Sequence, residues 1–89
     1  MFYTYVLLCV DNKRNRRKFY TGSTNNYEER VLEHKSKSVK TTKSYDEINL
    51  VYLEACLNKT DAIKRELQLK TGFGRGYLKR RLENYLKSK

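Results

Sequence analysis

Two tyrosines, an arginine, a histidine and a glutamate in this chain are residue types able to do proton-transfer and anion chemistry, and their spacing gathers them. Arg30 and His34 are four apart in a segment that reads as a helix, so they share one face. Glu66 falls in a second helical segment, TDAIKRELQLKTG, with Ala62, Ile63, Leu69 and Lys70 at its i±3 and i±4 positions. A carboxylate on such a mostly apolar stripe is costly unless it has a partner or a metal. Tyr5 and Tyr20 lie in strand-like runs, and Gly22 follows Tyr20 by two. Phosphodiester cleavage needs neutralised charge in the transition state, a nucleophile and a path for protons. Arginine grips phosphate oxygens in a fork, and a nearby cation draws down a tyrosine's ordinary pKa of about 10. A metal, Arg30 and a protonated His34 are the candidate cations. A hard cation needs one protein carboxylate when waters and substrate oxygens complete its shell. Each residue also has an ordinary reading: core tyrosines, solvated helix charges, a structural histidine, a glutamate paired with a lysine or arginine.

The elements that must position these groups follow from pattern. FYTYVLLCV is β-branched and aromatic and reads as a strand; KFYTG reads as a second. Between them DNKRNRRK makes a long basic hairpin tip. After Gly22, Asn25 or Asn26 caps a helix over YEERVLEHKS, with Glu28 and Glu29 early and Lys35 late, as the helix dipole favours. Leu32 lies off the Tyr27–Arg30–Val31–His34 face and is expected in another part of the core. KSVKTTKSYDEI is a connecting loop and NLVYLEACL a third strand. Thr60 is expected to cap helix two, Gly72 to end it, FGRG to form a turn, and YLKRRLENYLK to form helix three. The expected fold is α/β, a small three-stranded sheet flanked by helices in the order β-β-α-β-α-α, as a single domain over 1–89. Gly72, Gly74 and Gly76 do not form a phosphate loop, because no strand precedes them and no GK[ST] ends the run.

Twenty Lys+Arg against ten Asp+Glu leave a charge of +10, and eight tyrosines supply apolar area to a chain of 89 residues. A folded domain this basic expects a polyanion, nucleic acid first. The residues expected to meet phosphate are Lys13, Arg14, Arg16, Arg17 and Lys18 of the tip, Lys40 and Lys43 of the loop, and Arg75, Lys79 and Arg80 near helix three. No apolar run reaches membrane length, and the opening residues lack the pattern of a secretory signal. Cys9 and Cys56 have no CxxC spacing and read as reduced, buried residues of a cytoplasmic protein. One histidine and two scattered cysteines do not compose a zinc site.

TYVLL in the first strand, FYTG ending the second, the R-x-x-x-H helix and a later helical glutamate, in that order, resemble the GIY-YIG nuclease domain. The likeness runs from about Tyr3 to Leu86. The first family tripeptide stands here as Thr4-Tyr5-Val6 and the second as Tyr20-Thr21-Gly22. The tail LKTGFGRGYLKRRLENYL is similar to the short, stand-alone bacterial branch related to the nuclease subunit of excision repair. The resemblance implies a metal-dependent endonuclease acting on DNA, branched or damaged DNA included, in repair or recombination, using Mg²⁺ or Mn²⁺ and no small-molecule cofactor. It implies Glu66 as the protein ligand to the metal, Tyr5 and Tyr20 at the reaction centre with one helping to activate water, Arg30 on the scissile phosphate, His34 hydrogen-bonded to a tyrosine or to the nucleophile, and Gly22 as a structural part of the motif. The asparagine that often follows the family glutamate has no counterpart before Asn84. The competing readings are a nucleic-acid-binding module that kept the fold and lost the chemistry, and a structural basic protein such as a ribosome-associated one.

Overall fold

The computed structural model describes residues 1–88. Its elements are β1 (Phe2–Asp11), β2 (Arg16–Thr24), α1 (Tyr27–Lys35), β3 (Glu47–Cys56), α2 (Lys59–Leu69), α3 (Gly72–Arg81) and α4 (Glu83–Lys87). The strands form one antiparallel sheet in the order β2-β1-β3. The β1 strand is central, which explains its unbroken run of buried residues from Thr4 to Cys9. Alternate side chains of β1 serve different layers. Tyr5, Leu7 and Cys9 join Ile48, Leu50, Leu53, Tyr20 and Val31 on the α1 side. Val6 joins Leu69, Leu78, Phe19, Val51 and Tyr52 on the α2–α3 side. The β1–β3 register shifts between Val6 and Leu7, which face Tyr52 and Leu50, so Val51 is the extra residue. That bulge lets Leu50 and Leu53 face one layer while Val51 and Tyr52 face the other.

The helix starts are chemically defined. The Asn26 side chain accepts from Glu29 N and caps α1. The Asn58 side chain accepts from Thr60 N and Asp61 N, so Asn58, and not Thr60, caps α2. Thr71 caps α3 by accepting from Gly74 N at 3.1 Å. The segment FGRG is therefore the first turn of α3, not a loop, and Gly72 opens this helix where it was expected to end the preceding one. The expected single third helix divides at Leu82, whose φ of −107° and ψ of 20° leave the helical well. The hairpin tip is also shorter than expected: Arg16, Arg17 and Lys18 are paired in β2 opposite Asp11, Val10 and Cys9. Asn15, at a φ of 51°, makes the left-handed step of the turn. Leu32 is 66% exposed rather than packed, and Cys56 is half-buried at the end of β3. Cys9 is fully buried, and burial pushes its thiol up to about 11.

A charged staple ties the second layer together. Arg65 of α2 donates to both carboxylate oxygens of Glu54 on β3, and the Tyr52 hydroxyl donates to the same group at 2.8 Å. Tyr77 of α3 bonds Tyr52 at 3.0 Å and lies under the Arg65 guanidinium. Burial acts to raise the Glu54 carboxyl, but the hydrogen bonds from Arg65 and Tyr52 outweigh it and hold the group below its ordinary value.

Gly74 sits where α3 crosses the end of α2. A Cβ there would lie 2.4 Å from both the Gln68 carbonyl oxygen and the Leu69 Cα, neither of which can swing aside. Gly76 faces only the flexible end of Arg80, at 3.5 Å. Gly74→Ala should therefore destabilise the fold by about 1–3 kcal/mol through overpacking. Gly76→Ala should stabilise it by about 0.5–1 kcal/mol by lowering the entropy of the unfolded chain. Chemical denaturation of the two variants checks this, and equal effects of the same sign would contradict the packing account.

Candidate active site

Tyr5 is the meeting point of three elements. Its ring packs across the strand pair onto Gly22, its register partner; a Cβ on Gly22 would lie 2.4 Å from the Tyr5 hydroxyl and 2.6 Å from Cζ. The two motif tripeptides are thus joined by a contact that only glycine permits. On its other side the Tyr5 hydroxyl lies 3.1 Å from His34 Nε2 of α1. The Tyr20 ring stands edge-on to the same imidazole, with centroids 4.8 Å apart, and 6.4 Å from the Tyr5 ring. Arg30, one turn before His34, makes an ion pair with Glu33 at 2.9 Å and acts on Tyr5 as well. Burial raises the Tyr5 phenol above its ordinary value, and the Arg30 guanidinium works against that rise. The hydrogen bond to Glu33, and then Tyr5, raises Arg30, so it stays charged throughout.

His34 is fully buried, and its second ring nitrogen is engaged too. Nδ1 lies 2.8 Å from the Thr42 hydroxyl. Thr42 comes from the 36–46 loop, which is tied down by a Lys37 Nζ bond to the Tyr45 carbonyl and by Asp46 N to the Val10 carbonyl at 2.8 Å. The Thr42 residue is 1% exposed, and Nδ1 is the one hydrogen-bond partner of its hydroxyl among the described residues. A neutral imidazole carries one N–H and one acceptor nitrogen, so it donates to one of these two buried hydroxyls and accepts from the other. Burial first, and Arg30 second, lower the His34 pKa, so the ring is neutral near pH 7. A protonated His34 is therefore not the cation acting on the tyrosines; Arg30 is the cation that this cluster supplies.

Glu66 approaches from the other layer. Thr4 and Ser23, neighbours of Tyr5 and Gly22 and opposite each other in the sheet, both point toward α2: Thr4 Oγ1 donates to the Ala62 carbonyl at 3.0 Å and Ser23 Oγ to Glu66 Oε1 at 2.7 Å. Lys70 holds Glu66 Oε2 at 2.7 Å, one helical turn on. Glu66 still adds a charge felt at Tyr5, raising that phenol further. So Tyr5, Tyr20, Arg30 and His34 form one contiguous cluster, and Glu66 is joined to it across β2 through Ser23 without touching it. Among the described residues no three His, Cys, Asp or Glu side chains gather into a metal cage. The oxygen-only pair of Glu66 and Ser23 fits a hard divalent cation that keeps most of its waters; Lys70, half exposed on a flexible stem, can leave the carboxylate. Ser23 and Thr42 carried no signal in the sequence beyond adjacency to Gly22 and a place in a polar loop.

The ten basic residues expected to contact phosphate are all exposed, but they are dispersed. Arg17, Lys18, Arg75 and Lys79 line one concavity of about 890 Å³ on the α3 side of β2. Lys40 and Lys43 lie in the Thr42 loop, Lys13 and Arg14 at the hairpin tip with Arg14 on Asp11 at 3.3 Å, and Arg16 and Arg80 outside the concavity. Asn84 is in α4.

The chain matches the family model of the GIY-YIG catalytic domain over residues 1–81 and belongs to the GIY-YIG family. It is 39% identical over 70 residues to a UPF0213 protein of Staphylococcus haemolyticus, covering 78% of this chain and 79% of that one. It is 38% identical over 71 residues to a UPF0213 protein of Clostridium perfringens, covering 79% and 71%, and 40% identical over 70 residues to one of Pediococcus pentosaceus, covering 78% and 68%. No solved structure matches the chain significantly. No helix among the described residues is long and apolar enough to cross a membrane.

The donor arrangement at His34 has a spectroscopic consequence. The chain has a single histidine, so its ring nitrogens can be read by ¹⁵N NMR without ambiguity. A titration midpoint below the free value of about 6.5 is expected. The depressed pKa means that the folded state binds fewer protons here than the unfolded one. The stability His34 contributes is therefore complete above about pH 6.5 and declines as pH falls through the folded pKa. Thr42→Val removes the hydroxyl that meets Nδ1 and should shift the midpoint, while Thr42→Ser should restore it. A midpoint at or above the free value, or one that Thr42→Val leaves unmoved, would contradict the buried, doubly bonded ring.

Proposed function

We propose that this chain is a divalent-metal-dependent endonuclease hydrolysing DNA phosphodiester bonds, with residues 1–89 acting as a single nuclease domain in the cytoplasm and a task in DNA repair or recombination. The observation that carries the reading is the junction at Gly22: Tyr5, His34 and Arg30 meet on one side of β2, and Glu66 is held on the other by the adjacent Ser23. In this reading Arg30 leaves Glu33 and grips the scissile phosphate, stabilising its charge as water attacks phosphorus. Tyr5 is buried and positions Arg30 and His34. Tyr20 is half-buried and makes no side-chain hydrogen bond among the described residues, so its hydroxyl is the one free to orient the attacking water and relay its proton. Neutral His34 holds the Tyr5 hydroxyl through Nε2. Glu66, with Lys70 displaced, would hold Mg²⁺ or Mn²⁺, which supplies Lewis-acid stabilisation of the phosphoryl oxygens when bound. Lys13, Arg14, Arg16, Arg17, Lys18, Lys40, Lys43, Arg75, Lys79 and Arg80 supply the salt-dependent hold on the DNA backbone.

A second reading, a binding module without chemistry, draws support from one fact: Glu66 is already satisfied by Ser23 and Lys70, as a structural ion pair would be. Plasmid nicking with Mg²⁺ or Mn²⁺ against EDTA separates the two. Glu66→Ala should abolish nicking and leave DNA binding intact or slightly tighter, because Lys70 is freed to meet phosphate. Full residual nicking would sink the metal assignment.

Arg30→Ala should slow cleavage by about 10²–10³-fold, the usual loss for one preorganised donor at a developing negative charge. His34→Ala should cost less than Arg30→Ala, because His34 acts through the Tyr5 hydroxyl that it holds. Single-turnover rates at saturating enzyme measure both, and wild-type rates in either variant would remove that residue from the mechanism.

A further inference from the structure

The cavity between β2 and the α3–α4 pair is remote from the tyrosine cluster: Leu8 and Phe19 form its floor, and both belong to the sheet face opposite Tyr5 and Tyr20. Leu86 completes the apolar floor. The rim is cationic. Arg17 reaches the Leu86 carbonyl only at 3.5 Å from each terminal nitrogen, the limit of a hydrogen bond, and Lys79 makes no hydrogen bond or ion pair among the described residues. Glu83 is the one carboxylate in the lining, and Lys87 neutralises it at 3.3 Å. The edge strand β2 links the two faces, because Lys18 stands opposite Cys9 of the tyrosine layer and Arg17 opposite Val10 of the other.

We propose that this groove binds an unpaired nucleic-acid strand, so that the protein engages duplex on the tyrosine face and a single-stranded arm on the other, across the basic edge of β2. This rests on the nuclease reading and names the class of substrate it prefers: DNA with a single-stranded branch. An apolar floor beneath a cationic rim is what a single strand requires, bases on the aromatic and aliphatic surface and phosphates on the cations. A duplex keeps its bases stacked inside and would leave Phe19 and Leu86 uncovered. An acidic peptide would meet the rim but supply no flat ring for Phe19.

Fluorescence anisotropy in EDTA at about 150 mM salt tests the groove without any cleavage, so the result is independent of whether the metal reading survives; nicking of closed plasmid by wild type and Glu66→Ala tests that reading separately. A duplex with a single-stranded tail is expected to bind about tenfold tighter than the blunt duplex, given the strength of base–aromatic stacking. Lys79→Glu with Arg17→Glu should erase most of that difference. Phe19→Leu, which keeps apolar volume where Phe19→Ala could unfold the sheet, should erase part of it. Photocrosslinking from iododeoxyuridine in the tail should label Phe19 or α4. Equal affinity for tailed and blunt DNA, tail crosslinks confined to α1 and the 36–46 loop, or tighter binding of a glutamate-rich peptide than of an oligonucleotide of matched charge would overturn the proposal.

Discussion

The contact between Tyr5 and Gly22 constrains most of what surrounds it. A phenol ring can lie flat across the neighbouring strand only where that strand lacks a Cβ. Placed there, its hydroxyl reaches Nε2 of His34 and so fixes the rotation of α1 against the sheet. His34 in turn reaches Thr42 and holds the 36–46 loop over the cluster. Three elements and a loop are thus located by one close approach and two buried hydrogen bonds. Each of those bonds nets only about 0.5–1.5 kcal/mol, but leaving one member unpaired in a buried site costs about 1–3 kcal/mol, so the chain is committed to the complete set.

The opposite layer uses charge for the same purpose. The Glu54 carboxylate gathers Arg65, Tyr52 and, through Tyr52, Tyr77, tying β3, α2 and α3 together. Because Arg65 precedes Glu66 on α2, this staple also sets the helix rotation that presents Glu66 to Ser23. Gly74 allows α3 to close against the end of α2. The glutamate is therefore positioned by packing and by the Arg65–Glu54 pair, not by the tyrosine cluster, and the two halves of the site are separately built.

Much of this was readable from residue order, because the motif residues obey strong local rules. Strands rich in β-branched and aromatic residues, the Asn26 cap and the four-residue spacing of Arg30 and His34 require no tertiary knowledge. The failures share a cause. Gly72, Gly74 and Gly76 look like breakers, yet Thr71 supplies a cap and the α2–α3 crossing needs the missing side chain, so tertiary packing overrides propensity. Leu32 falls outside the core because α1 covers the sheet with the face carrying Val31 and His34, and no described residue buries its other side. Asn58 outcompetes Thr60 because a cap must lie before the first helical residue, and the helix begins at Lys59. Ser23 and Thr42 are small polar residues whose meaning exists only through the partner brought to them by the fold.

The resting charges explain why so basic a protein can hold Arg30 and Glu66 within one site without their pairing with each other. Arg30 and Glu66 lie on different helices in different layers, with β2 between them, and each is matched by a neighbour on its own helix: Glu33 at i+3 and Lys70 at i+4. Partly exposed pairs of this spacing contribute about 0.3–0.5 kcal/mol, so under the proposed function a phosphate or a divalent cation would displace them at little cost. A direct Arg30–Glu66 bridge would instead neutralise both groups together, and the site would have to break it before meeting a substrate that needs them apart. Local partners keep each group ordered and solvated lightly enough to exchange. The sheet supplies the separation, and under the proposed function the +10 charge elsewhere on the chain would draw in the polyanion that completes the exchange.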